Sequence, residues 1–294
     1  MASVLGLLAA LGYGLGDFVA GVLSRRVHFA VVAVLASLAS LAVMTPVVVI
    51  AGSPPTALGL AWGALSGVGT AVGSLALFRG LARGRMGVVA PLSALTAAAI
   101  PVVVGVLLGD RPALVAWAGV VLAVPAIWLV SSADDPGPAI EGDRGGPPAP
   151  CGPSGVADGL LAGAGFALLF LGLALAGEDA GLWPVLANEA AALVLLAVGL
   201  VAVLPAADRR RPAAHDLAIA ALVGCLGAVS TVAYFLATNA GLLSIVVVLT
   251  SLYPAVTVVL AVVVTHEKIG RRQAIGLGLA CAAIALIVLG QARF

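Results

Sequence analysis

The sequence predicts an all-α membrane protein of ten transmembrane helices, arranged as two inverted five-helix repeats, and three observations carry that prediction. Only 9% of the 294 residues are charged while 62% are hydrophobic, giving a mean hydropathy of +1.21; about a quarter of residues are charged in soluble globular domains. Apolar runs of the ~20 residues that a helix needs to cross a ~30 Å hydrocarbon core recur from one end to the other. The second half of the chain also repeats the first at a shift of 157 positions, with an odd number of spans in each copy.

The first span is read over 3–23. Asp17 is the only charged side chain between Val4 and Leu23, and no Lys or Arg precedes the run. The basic n-region of a cleaved signal peptide is therefore missing, and the segment reads as a retained helix. Breaks at charges and at Pro/Gly clusters then bound helices over 29–51, 57–78, 87–108, 113–131, 156–176, 182–204, 215–238, 243–264 and 270–290. Between the fifth and sixth lies "SSADDPGPAIEGDRGGPPAPCGPSG", too rich in Pro, Gly and acid to bury a core, which reads as a flexible linker over 133–155. It separates a first repeat over 1–132 from a second over 156–294.

The repeat is visible residue by residue. "GVVAPLSALTAAAIPVVVGVLLGDRPALVAWAG" (Gly87 to Gly119) falls on "SIVVVLTSLYPAVTVVLAVVVTHEKIGRRQAIG" (Ser244 to Gly276). Asp110 then meets Glu267, Arg111 meets Lys268 and Ser93 meets Thr250; earlier in the same register Ser74 meets Thr231 and Phe78 meets Phe235. Five helices per half force equivalent helices to cross in opposite directions. Two similar units facing opposite ways can expose one site to either side of a membrane in turn.

The stretch "LYPAVTVVLAVVVTHEKIGRRQAIGLGLACAAIALIVLG" (Leu252 to Gly290), with its weaker copy around "LLGDRPALVAWAGVVLAV" (Leu107 to Val124), resembles the end of an EamA domain. Its most specific piece is the acidic-basic pair at the start of each fifth helix, Glu267-Lys268 and Asp110-Arg111; the first half departs from the usual pattern in having Asp. The resemblance covers nearly the whole chain outside the linker. It implies a ten-helix member of the drug/metabolite transporter superfamily, with a central cavity lined largely by the first, third and fourth helices of each half.

Charge speaks to orientation. Twelve of the fourteen Lys and Arg residues fall on the side of the odd-numbered loops, among them Arg25, Arg26, Arg79, Arg83, Arg85, Arg209 to Arg211 and Lys268; only Arg111 and Arg293 fall on the other. The positive-inside rule places both termini outside the cytoplasm, whereas the resemblance implies termini inside. Lys268 is the only lysine, a bias that with the abundant Ala and Gly suggests a bacterial chain, hence a multi-pass protein of the bacterial cytoplasmic (inner) membrane.

Two carboxylates lie within spans. An Asp at the middle of a membrane helix costs about 2.5–3.5 kcal/mol, so Asp17 is expected to face protein or water. Gly6, Ala10, Tyr13, Asp17, Gly21 and Ser24, spaced by three or four, form one small and polar stripe. Glu189, beside Asn188 in "WPVLANEAAALVLL", is the second. A carboxyl in such surroundings with no cation beside it can hold a proton near neutral pH and release it when water or a cationic solute arrives, as a proton-coupled exporter requires. A structural reading stands beside this one: Asp17 can snorkel toward Arg25, and Asn188 can satisfy Glu189 locally.

Placed on the cavity that the resemblance implies, the candidates for the substrate and proton pathway are Tyr13, Asp17, Trp62, Ser74 and Phe166, followed by Phe170, Thr231, Tyr234 and Tyr253, with Asn188 and Glu189 added. Hydroxyls are tolerated in membrane helices by bonding to the preceding turn, so Ser74 and Thr231 gain interest mainly from their equivalence. Pro101 and Pro254, in the two fourth helices, are hinge candidates. Gly12/Gly16, Gly63/Gly67, Gly69/Gly73 and Gly159/Gly163 are GxxxG pairs that permit close helix contact.

The expected function is secondary transport of a small organic solute by alternating access, as efflux and in exchange for protons. The alternatives are an intramembrane enzyme and a non-transporting structural membrane protein. No HExxH or paired acidic motif appears at a useful spacing, and no GxxxxGK[ST] occurs, so neither an enzyme nor an ATP-driven pump is expected. Cys151, Cys225 and Cys281 have no metal spacing, and no metal or cofactor is expected. A net charge of +1 without a basic arm leaves no case for nucleic acid. The expected partners are the lipid bilayer, the solute and protons; a homodimer is compatible with the sequence.

Overall fold

The structure is a computed structural model that describes residues 2–82, 86–107, 113–131, 154–203, 212–240, 246, 250, 252–266 and 270–291. Its helices are α1 (Ala2–Leu23), α2 (Phe29–Ala51), α3 (Ala57–Ala82), α4 (Met86–Leu107), α5 (Leu114–Ser131), α6 (Ser154–Leu175), α7 (Trp183–Val203), α8 (Ala214–Ala240), α9 (Tyr253–Val264) and α10 (Arg271–Gln291). A single 3-10 turn, Glu178–Ala180, precedes α7, and Val246 and Thr250 are also helical. Among the described residues there is no strand. Six helices, α1, α2, α3, α6, α7 and α8, are long and apolar enough to cross a membrane; α4, α5, α9 and α10 are apolar over shorter described stretches.

Local chemistry sets several ends. His28 caps α2, its Nδ1 accepting from the Ala30 backbone N–H at 3.3 Å, and Gly52 closes the helix at φ 67°, a left-handed conformation suited to glycine. α3 runs beyond the expected Phe78 to Ala82 and so takes in Arg79, which the sequence reading had put in a loop. The described helix α9 begins at Tyr253, which puts Pro254 in its first turn, where a missing N–H breaks no intrahelical bond; of the expected span from 243, Val246 and Thr250 are described and helical, and the other positions before Leu252 lie outside the described residues. Pro101 lies within α4. The linker over 133–153, Cys151 and the pairs Asp110-Arg111 and Glu267-Lys268 lie outside the described residues.

The two halves are woven through each other. α1 packs on α8 and α3 on α6; α2 packs on α8 and α3 on α7; α1 meets α9 and α4 meets α6; α5 pairs with α10 and α2 with α7. Exchanging the halves turns each of the first six pairings into its counterpart and the last two into themselves. Small residues make these approaches possible. A Cβ on Gly165 of α6 would lie 2.5 Å from the Gly73 backbone N of α3, and one on Gly67 of α3 would lie 2.5 Å from the Asn188 carbonyl oxygen of α7. In lipid, where burial of apolar surface gives helices little drive to associate, such close van der Waals contact is what holds them. Large side chains such as Leu11, Ile50, Val121 and Val198 point outward, the face a bilayer would cover.

Candidate functional site

The polar stripe of α1 faces inward: Gly6, Ala10, Gly21 and Ser24 are buried and Tyr13 and Asp17 half-buried, while Leu7, Leu11 and Leu15 on the opposite side are exposed. α1 thereby delivers Tyr13 and Asp17 to a central cavity with about 810 Å³ of empty space, counting the open solvent at its mouth. The cavity also receives Ser74 from α3, Phe166 and Phe170 from α6, Glu189 from α7, Thr231 from α8 and Tyr253 from α9. Trp62, Asn188 and Tyr234 do not line it. Trp62 packs into the apolar cluster around Leu169 and Leu173. The Tyr234 ring lies 4.9 Å from that of Phe170 and its hydroxyl donates to the Phe170 carbonyl at 3.4 Å.

The walls differ from those the resemblance implied. α2 contributes Ala33, Ala36, Ser37 and Ser40, and α7 contributes Glu189 and Leu196, so the second helix of each half lines the cavity. Among the lining residues none comes from α4, and Tyr253 alone comes from α9. The reason is the small-residue seam behind: a Cβ on Gly159 would lie 2.8 Å from Leu92 Cβ and 3.1 Å from the Val89 carbonyl, so α4 is held against the back of α6.

Glu189 is tied down and Asp17 is not. Asn188, fully buried on the adjacent face of α7, donates through Nδ2 to Glu189 Oε1 at 3.4 Å. Its Oδ1 accepts from Thr70 Oγ1 at 2.7 Å and Ser66 Oγ at 3.1 Å, linking α7 to α3. The Ser37 hydroxyl donates to the Glu189 backbone carbonyl at 3.5 Å, linking α2. Ser40, 3% exposed, lines the cavity beside them with a hydroxyl that closes no hydrogen bond of good geometry. The Asp17 carboxyl has neither a hydrogen-bond nor an ion-pair partner among the described residues, and no Lys, Arg or His lines the cavity.

An aromatic layer closes the inner end. Tyr13 meets Phe170 edge-on at 6.1 Å and Tyr253 edge-on at 6.4 Å. Its hydroxyl donates to Thr231 Oγ1 at 3.0 Å, and the Tyr253 hydroxyl shares a 3.1 Å hydrogen bond with Ser93. Phe170 stands 157 positions after Tyr13, so the repeat's own register brings equivalent residues of the two first helices into ring contact, as it brings the equivalents Ser74 and Thr231 into one cavity. From this layer the lining residues run toward one end of the bundle. On α1 they occupy the half nearest the α1–α2 connection, on α2 the half beginning there, and on α3, from Thr70 to Phe78, the half nearest the α3–α4 connection. Those connections hold Arg25, Arg26, Arg83 and Arg85 in the sequence.

Sequence reasoning missed Asp158. It lies early in α6, 1% exposed, and accepts from Arg79 Nε at 2.8 Å and Nη2 at 2.5 Å. The pair clamps the C-terminal end of α3 to the N-terminal end of α6. Nothing in either helix alone announces it, because the helix facing Arg79 is set by the fold. Ser37 and Ser40 had a signal that went unused: with Ala33 and Ala36 they make a small-residue stripe at helical spacing on α2. Among the described residues no group of three or more His, Cys, Asp and Glu side chains is placed to hold a metal ion.

The profile of the EamA-like transporter family matches residues 1–132 and 154–289. The chain belongs to the EamA-like transporter family. The two matched segments are the two halves that the internal repeat defines, and with the apolar helices they make the chain a multi-pass membrane protein of the transporter class. No curated protein matches the sequence. Among solved structures, one crystal structure of a protein aligns at a TM-score of 0.64 and 16% identity, covering 99% of this chain and 97% of its own. At that identity the likeness shows a shared fold alone, over nearly the full length of both chains.

Proposed function

We propose that this EamA-like protein is a secondary transporter that moves a small organic solute, such as an amino acid, amine, drug or other metabolite, across the bacterial cytoplasmic membrane by alternating access, as an exporter coupled to protons. In this reading ten helices cross the bilayer as two inverted five-helix repeats, with the arginine-rich connections in the cytoplasm and both termini outside. The observation that carries it is the central cavity itself: its described lining holds two carboxylates and no basic residue, and it lies where α1, α2, α3, α6, α7 and α8 of the two halves meet. The exchange-symmetric packing supports the rest, because two halves related in this way can rock so that the cavity opens at one end and then at the other. Its present mouth, toward the arginine-bearing connections, makes this the cytoplasm-facing state.

The test is transport. Purified protein in liposomes with an inside-acid pH gradient and a trapped pH dye is challenged with a panel of amines, amino acids and drugs. Solute-dependent proton movement, reduced at least about tenfold in Asp17→Asn or Glu189→Gln, is the expected result. Solute movement without any proton movement removes the coupling and leaves the transporter. No movement of any solute in the wild type contradicts the proposal.

A further inference from the structure

The hydrogen-bond donors of the cavity are almost all spent within the protein. Tyr13 donates to Thr231, and Thr231 donates in turn to the Gly227 carbonyl at 2.9 Å. Ser74 donates to the Thr70 carbonyl at 2.7 Å, and Thr70 donates to Asn188. Ser37 is committed to the Glu189 carbonyl. What such a hydroxyl still offers a ligand is lone pairs. The surface seen from inside is therefore rich in acceptors: hydroxyl oxygens, the free carboxyl of Asp17, the carboxyl of Glu189, and the faces or edges of Phe78, Phe166 and Phe170. Ser40, buried beside the Glu189 carboxyl, is the one lining hydroxyl that closes no hydrogen bond of good geometry.

We infer that the cavity takes a protonated amine carrying an apolar or aromatic body, with Asp17 as its counter-ion, and that it discriminates against anions and against uncharged solutes of the same shape. This deepens the transport proposal and rests on it for its physiological meaning. An ammonium group supplies the donors and the positive charge that the cavity lacks. Its neighbours would be a carboxylate with no competing partner and aromatic rings able to attract a cation within about 6 Å of their centroids. Among the described residues that line the cavity, a carboxylate or phosphate ligand would find no cation. An uncharged alcohol would gain no ion pair with Asp17. Glu189 differs in role: Asn188 and its bonds to α3 hold it at the far wall, where it sets the field of the cavity while Asp17 meets the ligand.

The test is equilibrium binding of radiolabelled 2-phenylethylamine at pH 7 to the full chain in lipid nanodiscs, displaced by unlabelled 2-phenylethylamine, 2-phenylethanol and 3-phenylpropanoate. The amine is expected to displace at least about tenfold better than the alcohol, a difference of ~1.4 kcal/mol, and the carboxylate is expected not to displace. In Asp17→Asn the preference for amine over alcohol should fall to within about threefold, while Asp17→Glu, which keeps the charge, should retain it; this ratio is insensitive to a partial loss of folded protein. Equal binding of amine and alcohol in the wild type, an unchanged ratio in Asp17→Asn, a preference for the carboxylate, or no saturable binding of the amine would each overturn the inference. Amine binding without solute movement in proteoliposomes would contradict the transport proposal and leave the ligand class standing. Movement of neutral or anionic solutes without preference for amines would do the reverse.

Discussion

The α3–α6 seam and the α1–α8 seam are the same helix pairing in the two halves, and they are built differently. On α3–α6, Gly165 lies directly against Gly73, so that backbone meets backbone, and the Arg79–Asp158 pair clamps the end. α7 adds the Asn188 tie to Ser66 and Thr70. On α1–α8 the helices close at Gly12, against the Leu226 carbonyl and Ser230, and then part: the nearest atom to a Cβ on Gly16 is Leu226 Cβ at 3.7 Å, and a Cβ on Gly227 meets nothing within 4 Å. Asp17 stands at that parting. One seam is fastened by packing, an ion pair and a polar tie; its equivalent holds the free carboxyl and the space beside it. Symmetry of fold thus coexists with asymmetry of chemistry, and the loose seam is where a ligand and a moving helix can share room.

Breaking the fastened seam should have the largest effect. Gly165→Leu would drive a side chain into the α3 backbone, and a loss of about 3 kcal/mol is expected, read as a lower midpoint of unfolding in detergent micelles. Asn188→Ala comes next: it removes the polar tie between α7 and α3 and a partner of the buried Glu189 carboxyl, while Ser66 and Thr70 keep their bonds to the Gly63 and Ser66 carbonyls, and the same measurement should show a loss of about 2 kcal/mol. Asp158→Ala removes the partner of an Arg79 side chain that is 38% exposed. Partial solvation of the arginine limits the cost to about 1 kcal/mol, and Asp158→Asn should recover part of it. The loose seam should respond in the opposite sense. Gly227→Ala has room for its methyl group and gains helix propensity, so stability should rise by about 0.5–1 kcal/mol; a loss as large as that of Gly165→Leu would erase the distinction between the two seams.

Much of this was legible in the residues, for physical reasons. A bilayer demands long apolar runs, so the helix ends fell within a few residues of their expected places at α1, α2, α5 and α7, and the repeat was written in the register of Ser74 on Thr231. The inward stripe of α1 was readable because a single helix carries its own periodicity. Contacts between helices were not readable in that way. Asp158 gained meaning only when α6 was laid on α3, and α2 replaced α4 in the cavity wall because glycines of α6 draw α4 behind it. Pro254 was read as a mid-helix hinge, but a proline two residues into α9 is as much a helix start as a break, and periodicity does not distinguish them.

The central claim is that one cavity is reached in turn from the two sides of a membrane. The most direct test is the accessibility of Gly227→Cys, a cavity position with space for a side chain, in a chain whose Cys151, Cys225 and Cys281 are replaced by serine. Membrane-impermeant thiol reagent is applied separately to right-side-out and inside-out vesicles. The account predicts labelling from both sides, with conditions that raise the rate from one side lowering it from the other. Labelling from one side only under every condition, or fast labelling from both sides at once, would contradict it.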